Sequence, residues 1–405
     1  LALTFGYTMI VAETAIGRMT RKSPVGAFKS FGKKKWLSFG GWINAVIPVL
    51  IVPYYSVIGG WVIKYLVEYF RGNAKQLAED GYFTDFISNG VSTELCFMAF
   101  CAFTLIIIFA GVQNGIERVS KIMMPILIVL SVIIAVYSVT RPGALAGVKY
   151  FLVPNVKNFS WMTVVSAMGQ MFYSLSIAMG ILITFGSYMK KDTAIEDSTR
   201  NVEVFDTGIA IMAGLMIIPA VFAFSGGDPN TLQAGPSLMF ITIPKVFQNM
   251  GFGTVIGIVF FLLVLFAAVT SSIALTESAV STFEDELGWG RKKATVLVGV
   301  IMLALGSLSS LGYGPLAGIK IIGMQFLDLF DFLTNSVMMP IAALLTSLLV
   351  SRVVGIDKIE DEIIHGESAF RRKKVFVVMI KYLCPVFAII ILLSSVANAL
   401  GWIKM

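Results

Sequence analysis

Long apolar runs follow one another along the whole chain, separated by short polar stretches that hold most of the charge. A helix that crosses a bilayer needs about 20 predominantly apolar residues. By that measure the pattern predicts spans at about 1–17, 39–65, 94–112, 119–140, 161–189, 204–226, 251–282, 294–312, 323–350 and 375–399. Two intervening stretches are longer than simple turns. The run between Val67 and Leu95 is rich in aromatics and acids and reads as a small external cap. AGPSLMFITIPKVF, from Ala234 to Phe247, is too short and proline-marked to cross, and reads as a hairpin dipping toward the protein.

The fifth run, WMTVVSAMGQMFYSLSIAMGILITFGSYM from Trp161 to Met189, has a polar middle. Gln170, Ser174 and Ser176 fall near the bilayer midplane, flanked by Gly169 and Gly180, where a span facing only lipid would carry Leu or Ile. A helix that unwinds at such depth frees backbone groups that only protein or a watery cavity can satisfy, so a break there points to a binding site. A continuous helix, with serines bonded back to their own turn and glycines allowing close packing, accounts for the same residues.

Composition fixes the class. Of 405 residues, 57% are hydrophobic and 14% charged, with a mean hydropathy of +0.85, outside the range of soluble or disordered chains. The chain reads as an all-α polytopic membrane protein in a single domain, residues 1–405. Cys96, Cys101 and Cys384 form no C-x-x-C pair and His365 stands in a charged loop, so no metal or redox centre is implied. The net charge of +7 follows topology and needs no nucleic acid. Alternate loops hold 21 of the 31 Lys and Arg, the other loops 9, and Lys381 lies in a span. The basic set is expected in the cytoplasm, with the opening span running inward and the terminal GWIKM outside. No P-loop, H-E-x-x-H or G-x-S-x-G motif is present, which argues against an enzyme. Nothing in the pattern identifies an oligomer.

Five ordered motifs carry a resemblance: GRMTRKSPVGAF after the first span, GIERVSKIMMP before the fourth, GQMFYSLSIAMG in the fifth, AAVTSSIAL followed by FEDEL in the seventh, and LDLFDF in the ninth. Together they resemble bacterial members of the neurotransmitter:sodium symporter family, whose LeuT-type fold joins two inverted five-helix repeats, each opening on a broken helix. Only four spans precede the broken one here. The resemblance therefore implies a first helix upstream of Leu1, making ten visible spans of eleven, and that helix would supply about half of the substrate and ion ligands.

The resemblance implies a sodium-coupled amino acid symporter, chloride-independent and embedded in the lipid bilayer, with two sodium ions as cotransported cargo. Its alternatives are a proton-coupled carrier of the same fold and a transport-dead substrate sensor. On the substrate side, the carbonyls of Tyr173 and Ser174 and the hydroxyl of Ser176 would receive the ammonium. Tyr55 would reach the carboxylate, and Tyr173 would cover the substrate. Ile51, Met179, Ser272 and Leu275 would complete a mostly apolar wall suited to hydrophobic L-amino acids. Ala267, Thr270 and Ser271, at i, i+3 and i+4, match one sodium site. Ser174 matches a ligand of the other, where Asp206 replaces the more usual Asn and Ala210 leaves the chloride-linked position neutral. Glu13 and Gln170 would support that site from behind. Asp331 matches an outer gate acid, Asp285 and Tyr188 an inner gate, and the Gly115 to Pro125 spacing a locally unwound helix.

Overall fold

The computed structural model describes residues 1–228, 232–233 and 235–399. The terminal GWIKM and Ala234 lie outside them. Long helices dominate: α1 (Tyr7–Thr20, entered through a π turn from Ala2), α2 (Lys35–Phe70), α3 (Gly90–Phe109), α4 (Val112–Val139), α5 (Trp161–Ser174), α6 (Ile181–Tyr188), α7 (Ile195–Ser225), α8 (Gly253–Leu287), α9 (Arg291–Leu311), α10 (Phe326–Val354) and α11 (Lys373–Asn398). Eight of these are long and apolar enough to cross a membrane. The two predicted spans outside that set are the opening one and the fifth, which is interrupted. Among the described residues no strand forms beyond one isolated bridge between Ile321 and Met324.

The fifth span breaks where its polar middle lies. α5 starts on a capping box in which Ser160 and Thr163 bond reciprocally. It ends at Ser174, and α6 begins only at Ile181. Between them the backbone turns left-handed at Ser176 (φ 56°), Ala178 (φ 58°) and Gly180 (φ 73°), which no helix can accommodate. Gly180 is required for a second reason, since a Cβ there would stand 2.8 Å from the Asn44 carbonyl of α2.

The opening helix packs against α6 through backbone rather than side chains. A Cβ on Gly17 would meet the Ile183 carbonyl oxygen at 2.0 Å, and one on Gly186 the Thr14 oxygen at 2.5 Å. Small residues facing each other let two membrane helices approach this closely. Gly17→Val is accordingly expected to overpack the contact and destabilise the protein by about 1–3 kcal/mol. Thermal unfolding of the purified variant in detergent checks this; an unchanged midpoint would mean that the helices are not held so tightly.

The remaining long helices surround this pair. α2, α3, α8 and α9 pack extensively on one another, α10 and α11 pack on each other and on α1, and α10 also packs on α2. The predicted cap and hairpin also meet: Phe83 stacks on Phe240 at 5.1 Å between ring centres, with Trp61 edge-on to both. Lys245 of the hairpin pairs with Asp80 of the cap and holds its carboxyl below the ordinary range. Pro125 lies inside a continuous α-helical stretch; the irregular turn of α4 is the π turn Val112–Glu117 ahead of it.

Candidate functional site

The break opens onto a cavity of about 250 Å³ lined by Tyr55, Tyr173, Ser174, Ser176, Met179, Ile181, Ser271, Ala274 and Leu275. Seven of these are residues that the sequence reading placed at the substrate or ion sites; Ile181 and Ala274 are additions. The lining divides chemically. Met179, Ile181, Ala274 and Leu275 supply apolar wall, while the hydroxyls of Ser174, Ser176 and Ser271 and the Tyr55 phenol, which meets Ser271, are grouped around the break.

Ser174 donates to Asp206 of α7 at 2.6 Å, joining the end of α5 to an acid within a membrane-spanning helix. Asp206 is partly exposed, Ala210 one turn on is exposed, and Gln170 lies exposed one turn before Ser174. On α8, Ala267, Thr270 and Ser271 share one face, of which Ser271 lines the cavity; the Thr270 hydroxyl donates back to the Ala267 carbonyl at 3.0 Å. A sodium ion takes hard oxygen ligands, and both clusters offer only such oxygens. Glu13 holds the break from behind. Its Oε1 accepts from the Ala178 amide at 2.9 Å, pinning a residue whose left-handed backbone has no helical partner, while Oε2 is buried without a hydrogen-bond partner.

Two of the predicted substrate-side residues stand apart from the cavity lining, as do Asp206, Ala267 and Thr270 of the predicted ion sites. Ile51 is fully buried in the core. Ser272 is buried too, its hydroxyl 3.1 Å from that of Thr104 on α3, so Ser271 is the serine of this pair that faces the cavity.

The gate candidates are placed at opposite ends. Asp331 accepts hydrogen bonds from the Tyr54 hydroxyl at 3.1 Å and from the Asn335 amide, where α10 enters its π turn. Asp328 faces Tyr313 instead. At the other end Asp285 accepts from the Ser23 amide, and Tyr188 bonds not to Asp285 but to Glu277 at 2.7 Å. Glu277 is fully buried in α8 and receives Arg291 through both guanidinium branches, at 3.0 and 2.6 Å. Arg291 also donates to the Ile108 carbonyl at the end of α3. Sequence reading missed Glu277, Arg291 and Tyr54. An acid inside an apolar run was the available signal for Glu277, as it had been for Glu13 and Asp206.

A broken helix over a cavity, with in-span acids at its edge, is how secondary transporters are built. The profile of the sodium:neurotransmitter symporter family matches residues 67–402. The chain belongs to that family. Among its relatives is an uncharacterised sodium-dependent transporter of Bacillus subtilis, 33% identical over 398 residues, covering 97% of this chain and 87% of the relative. A Methanocaldococcus jannaschii protein of the same description is 29% identical over 380 residues, 89% of this chain and 74% of its own length. The crystal structure of MhsT in complex with L-phenylalanine superposes with a TM-score of 0.86 at 32% identity, over 96% of this chain and 88% of MhsT. As a member of this family, the chain is a sodium-dependent secondary transporter with a LeuT-type all-α fold, multi-pass in the membrane, and not an enzyme.

Proposed function

We propose that this symporter imports hydrophobic L-amino acids by alternating access, driven by two sodium ions and without chloride, with its basic loops in the cytoplasm. The observation that carries this reading is the cavity at the break. The backbone end of α5 and the serine hydroxyls suit an ammonium group, Tyr55 suits a carboxylate, and the side-chain wall of Met179, Ile181, Ala274 and Leu275 suits an apolar group. The L-phenylalanine in MhsT supports the same class of cargo. One ion would lie between Ser174 and Asp206, the other against Ala267, Thr270 and Ser271. Asp331 with Tyr54 would close the outer path, and Tyr188 with the Glu277–Arg291 pair would close the inner one, with Asp285 beside it.

The test is uptake of labelled leucine, phenylalanine and tryptophan by the full-length protein in proteoliposomes, under an inward sodium gradient and then under a proton gradient alone. Sodium-dependent accumulation is expected. The buried, unpartnered Oε2 of Glu13 favours a second reading in which a proton is the coupling ion, and accumulation driven by the proton gradient alone would establish that one instead. Binding without accumulation would leave a sensor.

Selectivity within the class should rest on Met179. Its unbranched thioether adapts to large side chains. Met179→Phe is expected to weaken tryptophan binding about tenfold, within the usual range for overpacking, and leucine binding much less. Competition against labelled leucine reads the ratio, and equal losses for both would remove Met179 from the specificity wall.

A further inference from the structure

A second groove, of about 480 Å³, runs along the outer face of α9 from Trp289, between Lys292 and Lys293, and over Val296, Leu297 and Val300. The opposite face of the helix, Ala294, Thr295, Val298, Gly299 and Met302, is buried against the rest of the protein. The groove thus faces outward from a membrane-spanning helix. Its walls are apolar except at the end, where two cations and an indole sit together.

Among the described residues those cations have no countercharge. The acids nearby in sequence are all engaged elsewhere: Glu277 and Glu284 with Arg291, Asp285 with the Ser23 amide, and Glu286 with Lys29. Among the described residues, neither Lys292 nor Lys293 has an ion-pair partner. An occupant that satisfies the whole groove must be amphipathic, with a negative head and an apolar tail lying along the helix. We propose that the groove binds an anionic phospholipid, its phosphate between Lys292 and Lys293, its glycerol level with Trp289, and an acyl chain along Val296, Leu297 and Val300. Tryptophan favours the headgroup level of a bilayer, and basic residues there attract anionic lipid. Each lysine should contribute on the order of fivefold to the preference over a zwitterionic lipid.

Trp289 is a built-in probe. The full-length protein is reconstituted in phosphatidylcholine vesicles doped with phosphatidylglycerol or phosphatidylcholine carrying brominated chains. Quenching of Trp289 is taken as the difference between wild type and Trp289→Phe. Brominated phosphatidylglycerol is expected to quench at a mole fraction at least tenfold below that of brominated phosphatidylcholine. Lys292→Gln with Lys293→Gln should abolish the difference, and Lys292→Arg with Lys293→Arg should keep it. Equal quenching by the two lipids in wild type, or an undiminished preference in the glutamine pair, would overturn the proposal. So would the absence of quenching by either lipid together with cross-linking between Val300→Cys protomers, which would assign the face to a second copy. The readout is emission and not uptake, so it succeeds or fails independently of the transport reading.

Discussion

Arg291→Ala is expected to cost about 3–5 kcal/mol of folding free energy, because it strands a charge that the fold has already taken out of water. Glu277 has no exposed surface, and its two carboxylate oxygens are matched by the two branches of the Arg291 guanidinium. With arginine gone, the Tyr188 hydroxyl would be the remaining side-chain donor, and the Ile108 carbonyl at the end of α3 would keep only the Gly111 amide. Lysine should rescue only in part, since a single ammonium cannot reproduce the planar fork. The double variant Arg291→Ala with Glu277→Leu should recover much of the loss by removing both charges. Thermal unfolding of the four purified proteins provides the comparison. A single variant as stable as wild type would show that Glu277 is not held as a buried anion.

Asp206→Asn is expected to raise the sodium concentration for half-maximal uptake tenfold or more, leaving chloride without effect. A full negative charge about 4 Å from a cation contributes about 4 kcal/mol at an effective dielectric constant of 20, and an amide offers only a dipole. Losing even a third of that is a tenfold change in affinity. Ala210 cannot carry charge, so in the proposed ion site Asp206 would be the acid that meets the ion. Uptake by full-length wild type should be unchanged when gluconate replaces chloride. Loss of uptake in gluconate, or an Asp206→Asn protein with wild-type sodium dependence, would reduce Asp206 to a hydrogen-bond partner of Ser174.

Much of this was legible because membrane folds put their strongest constraints into sequence. Apolar run lengths located the spans, since lipid satisfies no backbone group. Gln170, Ser174, Ser176 and Gly180 marked the place of the break but fitted a continuous helix equally well, and it was the family resemblance that favoured a break there. Pairings across helices were not legible. That Tyr188 would turn to Glu277 and away from Asp285 depends on the rotation of α8 relative to α6, which an apolar run of uniform character does not encode. The same limit hid the difference between Ser271 and Ser272: adjacent positions differ by about 100° around a helix, and only the packing of α3 decides which one faces the cavity. Tyr54 was overlooked beside Tyr55 for the same reason, the two pointing to different neighbours, Asp331 and Ser271.

The left-handed turns at Ser176 and Ala178 have a consequence for how such a protein evolves. Each holds a side chain in a conformation costing roughly 1–2 kcal/mol, which glycine would avoid. Glycine at either position would make the chain easier to fold, yet would let the floor of the pocket sample many shapes. By keeping serine and alanine there, and fastening the alanine amide to a carboxylate on another helix, the protein would give up robustness for one definite outline beside the cavity. Stability and discrimination should therefore pull in opposite directions at these two residues, and selection for heat tolerance would be expected to blunt the transporter's choosiness first.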